Sequence, residues 1–375
     1  MTKRINLALQ GGGAHGAFTW GVLDRLLECE DLEIAAITGT SAGALNGAAL
    51  KSGLVQGGRA GARACLDHLW QRMGAVGDMR FAHWLAGLDA APLLGALDWI
   101  APFSPREAMG QILSPYSYGP FYRNPLRPVV EGFNFAEVCA DQGPQLFICA
   151  TSVRSGKVRV FSGEEVTTDA ILASACLPNL FQAIEIEDPK TGRLEPYWDG
   201  GYTGNPALFP LYRPELPSDV VIVSINPLER DELPHTPQQI QNRVNEISFN
   251  SSLLRELRAI SFVQRLLAEG QLAAGEMKRV LVHMIADDDL MRELSVNTKL
   301  IPIPQILAKL KAAGRAAAEQ FLEQDSDAIG LRSTVDLAEM FGWAQNLGLM
   351  VPPIGSAGSQ SETSSAGFVG SLALG

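Results

Sequence analysis

Apolar and polar positions follow two different periods along this chain, and the switches between them outline its elements. Ile5-Asn-Leu-Ala-Leu9 is a short apolar run that ends where Gly11-Gly12-Gly13 begins, which predicts a buried strand stopped by a glycine loop. From Ala17 to Glu28 the apolar residues Phe18, Val22, Leu23, Leu26 and Leu27 recur at helical spacing and predict a helix with one buried face. Ile34–Thr38 reads as a second strand and Ala42–Lys51 as a helix of small residues. Strand, glycine loop, helix, strand, tight turn, helix is the order of a parallel sheet with crossover helices. Gln145–Thr151, Val158–Phe161 and Val220–Ile225 add further strands. The last is nearly continuous and β-branched, as a strand covered on both faces should be.

Residues 81–103 are rich in aromatic and aliphatic side chains and are interrupted by Pro92 and Pro102, which predicts two short helices rather than one long one. After Pro237 the texture changes. Ile240–Glu269 predicts a long helix whose buried stripe is Ile247, Leu254, Leu257, Ile260, Val263 and Leu267. Val280–Ala286 predicts a late strand, and Pro304–Glu323 and Val335–Leu347 two more helices. From Val351 onward Pro, Gly, Ser and Ala leave little to bury, which predicts a disordered tail over 351–375. The expected organisation is a catalytic α/β domain over 4–228, a mainly helical extension over 235–350 packed on the same core, and that tail.

Composition narrows the function. Hydrophobic residues make up 46% of 375 and charged residues 19%, so the chain can fill a full-sized core. The net charge of −11 lacks the basic block that nucleic acid or tight adhesion to an anionic membrane would require. Cys29, Cys65, Cys139, Cys149 and Cys176 are scattered and odd in number, with neither zinc-site spacing nor a disulfide framework. Cys149 and Cys176 sit in apolar runs, where a thiol behaves as a small core residue. A reducing cytoplasm fits best. The N-terminal apolar stretch is far too short for a signal peptide, and no run approaches the length of a membrane span.

Two glycine motifs sit at strand–helix junctions. Gly39-Thr-Ser41-Ala-Gly43 has the form of a nucleophile elbow: Ser at the apex of a strained turn, with glycines two residues either side where a Cβ would collide. Gly11-Gly-Gly-Ala-His15-Gly16 can turn consecutive N–H groups toward a ligand, as an oxyanion hole requires. The same residues also satisfy the dinucleotide pattern Gly11-x-Gly13-x-x-Gly16. That pattern expects an acidic residue at the end of the second strand, and here the strand ends Ile37-Thr38-Gly39. A serine nucleophile needs a base. None of His15, His68, His83, His235 and His283 has a triad setting, and His283, inside an apolar strand, reads as a core histidine. Trp198-Asp199-Gly200-Gly201 offers a carboxylate in a tight turn, which in isolation reads as a surface turn rather than as a catalytic base. Asp287-Asp288-Asp289 reads as a solvated turn rather than a calcium site.

Together the glycine loop, the elbow at the next strand–helix junction and the late Asp-Gly-Gly resemble the patatin-like phospholipase family, over roughly residues 4–228. Ala173-Ser-Ala-Cys-Leu-Pro178 resembles the family's small-residue segment before its aspartate. The resemblance implies a three-layer α/β fold with a mostly parallel central sheet flanked by helices, here with a helical C-terminal extension. It implies Ser41 as nucleophile, Asp199 as the only side-chain base, and Gly11, Gly12 and Gly13 as oxyanion donors. His15, Gly16, Gly39, Gly43, Gly200 and Gly201 are the supporting motif positions. It implies a lipid ester as substrate, peripheral contact with a membrane or lipid aggregate, and neither cofactor nor metal. Where the family usually has Arg or Lys this chain has His15, largely neutral at pH 7, which shifts the expectation from phospholipid head groups toward neutral esters. Residues 81–103 then read either as core or as an apolar flap over the lipid entrance. A dinucleotide-binding enzyme and a catalytically silent lipid-binding protein are the alternatives.

Overall fold

An eight-stranded mixed sheet organises the chain in a computed structural model that describes residues 2–76, 114–189, 191–273, 275–294 and 297–342. Strands β1 (Lys3–Leu9), β2 (Leu32–Thr40), β3 (Gln145–Ser152), β4 (Val158–Ser162), β5 (Ile184–Asp188), β6 (Arg193–Asp199), β7 (Asp219–Val223) and β8 (Leu281–Ile285) lie in the order β5-β6-β3-β2-β1-β7-β8, with β4 paired to β3. The block β3-β2-β1-β7-β8 is parallel, and β4, β5 and β6 run antiparallel to their neighbours. Leu7, Leu9, Ile37, Val221, Val223 and Ile285 are essentially sealed from solvent, as the apolar runs require.

The helices that matter for the site are α1 (Gly16–Leu26), α2 (Ala42–Val76), α3 (Thr168–Ser174), α4 (Pro237–Ala268), α5 (Asn297–Leu300) and α6 (Pro304–Gln324). The sequence predicted α2 only as far as Lys51. The helix runs on to Val76 but loses helical dihedrals at Gly57 and Gly58, where no side chain opposes the break. On α4 the buried face is Glu246, Asn250, Leu253, Leu257 and Ile260, whereas Ile247 is 55% exposed. The expected stripe was therefore one position out at its start, because the buried ion pair of Glu246 with Arg230 (2.7 Å) takes the inward place that an aliphatic residue was expected to hold. The hairpin β5–β6 was not predicted at all, although Ile184 and Ile186 alternate with Glu185 and Glu187.

The described residues up to Leu337 form one compact unit that contains the whole sheet. The stretch after residue 228 contributes β8 to the parallel block and α6 to the face of α1. Arg315 of α6 and Arg63 of α2 both pair with Asp24 of α1, fastening three helices at one carboxylate. Asp287 caps the short helix Asp288–Glu293 by accepting the Leu290 N–H, so the acidic run begins a helix. Leu337–Met340 is helical within the expected Val335–Leu347 segment, and 343–347, like 81–103 and the tail, lie outside the described residues.

Candidate active site

Sheet register brings the elbow and the aspartate together. β2 pairs with β3 as far as Thr40 opposite Cys149, and the next residue of β3, Ala150, pairs with Asp199 of β6. β4 also occupies Ala150 and Thr151, so β4 and β6 lie on opposite edges of β3. β6 thus takes the edge of β3 that β2 leaves at Ser41. The chain turns out of the sheet at Ser41, and Asp199 arrives where it turns.

Ser41 has φ 55°, making it the one non-glycine residue with positive φ among those described. Such a conformation costs about 1–3 kcal/mol and points to a functional constraint. Gly39 and Gly43 face each other across the turn, and a Cβ on Gly39 would come within 2.5 Å of the Gly43 carbonyl. A Cβ on Gly43 would strike the Leu9 carbonyl, and one on Gly16 would lie 2.6 Å from Ala42 Cβ. The elbow and the glycine loop are therefore packed backbone to backbone, which no larger residue permits.

Asp199 is fully buried. Its Oδ1 accepts the Gly201 N–H at 2.7 Å, while its Oδ2 has no partner at ordinary hydrogen-bond length among the described residues. Burial raises its pKa to about 7, and the Gly201 N–H and the nearby Ser41 hydroxyl pull the other way. A Cβ on Gly200 would strike the Cys149 carbonyl, and one on Gly201 would lie 3.0 Å from both Asp199 Oδ1 and the Phe249 ring.

The glycine loop is held from three sides. The Gly11 N–H donates to Asn205 Oδ1 at 2.7 Å, and the Gly11 carbonyl accepts from Asn226 Nδ2 at 2.8 Å. Gln10 Oε1 accepts the Ile225 and Asn226 N–H groups at 2.9 and 3.1 Å, and Lys299 Nζ donates to Asn226 Oδ1 at 2.9 Å. Gly13, at φ 60°, lies so close to the Lys299 carbonyl that a Cβ there would collide with it. Of the three expected oxyanion donors, the Gly11 amide donates to Asn205, whereas the Gly12 and Gly13 amides donate to no acceptor among the described residues.

His15 is 1% exposed and bonds through Nε2 to Thr298 Oγ1 at 2.7 Å. Burial first, then the cations Lys299 and Arg230, hold its pKa well below the ordinary 6.5, so it is neutral at pH 7. Lys299 is itself pushed down to about 8 by burial, against the attraction of Glu246 3.7 Å away. His283 is fully buried and bonds to Asp219 Oδ1 at 3.0 Å, but Asp219 begins β7, at the N-terminal end of the parallel strands, whereas Ser41 follows the C-terminal end of β2. That pair is a core pin, remote from the elbow. Among the described residues no group of three or more His, Cys, Asp or Glu is placed to hold a metal ion, and no helix is long and apolar enough to cross a membrane.

Asn205, Asn226 and Lys299 escaped the sequence reading, which included Ser174 only as part of the small-residue segment Ala173–Pro178. Gln10 and Asn226 are polar residues flanking apolar strands, which is a usable signal; Lys299 lies in an unremarkable segment and only tertiary packing reveals it.

A mixed sheet flanked by helices, a serine in a strained elbow and a buried carboxylate next to it define the serine acyl-hydrolase class. The sequence model of the patatin-like phospholipase family matches residues 7–212, more than half of the chain. The chain belongs to that family and is a lipid acyl hydrolase. Among solved structures, VipD from Legionella pneumophila is similar with 14% identity and a TM-score of 0.37, over 86% of this chain and 67% of that one. No curated protein matches.

Proposed function

We propose that Ser41 and Asp199 form the catalytic dyad of a hydrolase that cleaves carboxylic esters of lipids through an acyl-enzyme. Asp199 accepts the Ser41 hydroxyl proton while Oγ bonds to the ester carbonyl carbon. The carbonyl electron pair moves to oxygen, and the Gly12 and Gly13 N–H groups receive that oxyanion, each such donor being worth about 3 kcal/mol. The tetrahedral centre collapses, the ester C–O bond breaks, and the leaving alkoxide takes the proton from Asp199. Water then repeats the sequence on the acyl-serine with Asp199 again as base, freeing the fatty acid and restoring Ser41. A carboxylate at its ordinary acidity would be a poor base for a serine; one raised to about 7 is matched to neutral pH.

The observation that carries this reading is Ser41, alone among described non-glycine residues in a left-handed turn, placed beside a sealed carboxylate with an unpartnered oxygen. Among the described residues the glycine loop offers no free cation to a head group: His15 is neutral, and Lys299 is held by Asn226 and Glu246. A neutral acyl lipid is therefore favoured over a phospholipid, and peripheral contact with a lipid surface follows from such a substrate. The test is fluorophosphonate labelling with a panel of soluble esters, monoacylglycerols and phosphatidylcholine, on wild type and Ser41→Ala. Labelling and hydrolysis should both vanish in the variant. A Ser41→Ala protein that keeps its hydrolysis would defeat the assignment.

A further inference from the structure

The segment Ala173–Pro178 has no role in the chemistry above, yet its main chain and one hydroxyl touch both halves of the dyad. Ser174, the last residue of α3, is fully buried. Its Oγ accepts the Ser41 N–H at 2.9 Å and donates to the Cys149 carbonyl at 2.6 Å, so one hydroxyl bridges the elbow and β3. Two residues on, the Cys176 carbonyl accepts the Asp199 N–H at 2.8 Å. The far side of Asp199 is fixed by its own carbonyl, which accepts from Thr151 Oγ1 at 2.8 Å.

These bonds stand where the sheet has none to give. Thr40 is the last residue of β2 paired to β3, so the Ser41 amide has left the ladder. A buried amide without an acceptor is destabilising, and here it would loosen one of the restraints that keep Ser41 at φ 55°. Ser174 Oγ supplies the missing acceptor. Since Ser174 and Cys176 are two residues apart on one short turn, the same turn sets where both Ser41 and Asp199 begin.

We propose that Ser174 is a positioning residue that holds the Ser41 backbone in its turned conformation and, with the Cys176 carbonyl, fixes the separation of the Ser41 hydroxyl from the Asp199 carboxylate. This rests on Ser41 and Asp199 acting as proposed above. Misplacement by about 1 Å lowers a reaction rate roughly 100-fold. Ser174→Ala should therefore lower both kcat on a soluble ester and the rate of Ser41 labelling by a fluorophosphonate about 100-fold, with KM unchanged. Ser174→Thr, which restores a hydroxyl, should recover most of that loss.

A purely packing role predicts otherwise: a lower melting temperature, with the labelling rate per folded molecule unchanged. A folded Ser174→Ala protein labelled at the wild-type rate overturns the proposal. If near-ultraviolet circular dichroism shows that Ser174→Ala does not fold, Ser174→Cys takes its place, since it keeps the shape but offers only a weak sulfur acceptor. It must then label at least tenfold more slowly, and a wild-type rate again overturns the proposal. Failure of the wild type itself to label would instead remove the dyad reading on which this one rests.

Discussion

Asp199→Asn should make the protein more stable in mild alkali while abolishing its activity. The carboxyl is raised from its ordinary 3.8 to about 7, chiefly by burial. Each tenfold change in proton affinity corresponds to about 1.4 kcal/mol, so keeping Asp199 ionised in the fold costs roughly 4 kcal/mol. The sign follows from the proton count. Between about pH 4 and pH 7 the native state keeps a proton that the unfolded chain has lost, so stability falls as pH rises through that window and levels off above it. Asparagine cannot ionise and escapes this loss. It keeps an oxygen for the Gly201 N–H but places an NH2 where Oδ2 has no partner, at a cost of about 1–2 kcal/mol. The variant should thus be about 2 kcal/mol more stable than wild type at pH 8 and slightly less stable at pH 4. Calorimetric melting curves from pH 4 to 8.5 would show the two melting temperatures crossing. In parallel, wild-type kcat/KM on a soluble ester should rise tenfold for each pH unit up to about 7 and then flatten. A melting difference that stays constant across this range would refute the argument, because it would mean that Asp199 carries no buried charge.

Three further outcomes follow from the same geometry. Ser41→Gly and Ser41→Ala remove the same hydroxyl but differ in their tolerance of a positive φ, so the glycine variant should be the more stable by about 1 kcal/mol in urea denaturation. His15→Arg should lower the melting temperature, since it buries a third cation beside Lys299 and Arg230 at a cost of several kcal/mol; a stable variant with raised phospholipid hydrolysis would show that position 15 does reach a head group. His283→Ala should lose about 3 kcal/mol of stability from the sealed core and leave kcat intact, whereas a folded variant lacking activity would restore a histidine triad.

Local geometry was legible in the sequence wherever one residue type alone could satisfy it. Gly39-Thr-Ser41-Ala-Gly43 announced the elbow because a turn of that tightness excludes a Cβ at Gly39 and Gly43, and the backbone atoms found opposite those two glycines explain why. The apolar runs at β1, β2, β7 and β8 announced themselves because strands covered on both faces admit little else. What stayed hidden was relational. Asp199-Gly200-Gly201 looks like any turn until β6 is known to take the edge that β2 vacates. The commitment of the Gly11 amide could not be foreseen, because Asn205 lies 194 residues away. Ile247 was misplaced for a related reason: a buried ion pair, invisible to hydrophobic periodicity, took the inward position at Glu246.

The backing of the glycine loop by Thr298 and Lys299 has a temporal side. Ser41, Asp199 and the loop itself have all been synthesised by residue 201, but the surface against which Gly13 and His15 rest is encoded nearly a hundred residues later. β1, moreover, begins the chain and lies between β2 and β7, so its second neighbour arrives only at residue 219. At about 5–20 residues per second, the interval between the last dyad residue and the loop's support is on the order of 5–20 s. A chain still on the ribosome thus carries the proposed dyad without the wall that backs the glycine loop, and should become a lipid hydrolase only once Thr298 and Lys299 have emerged.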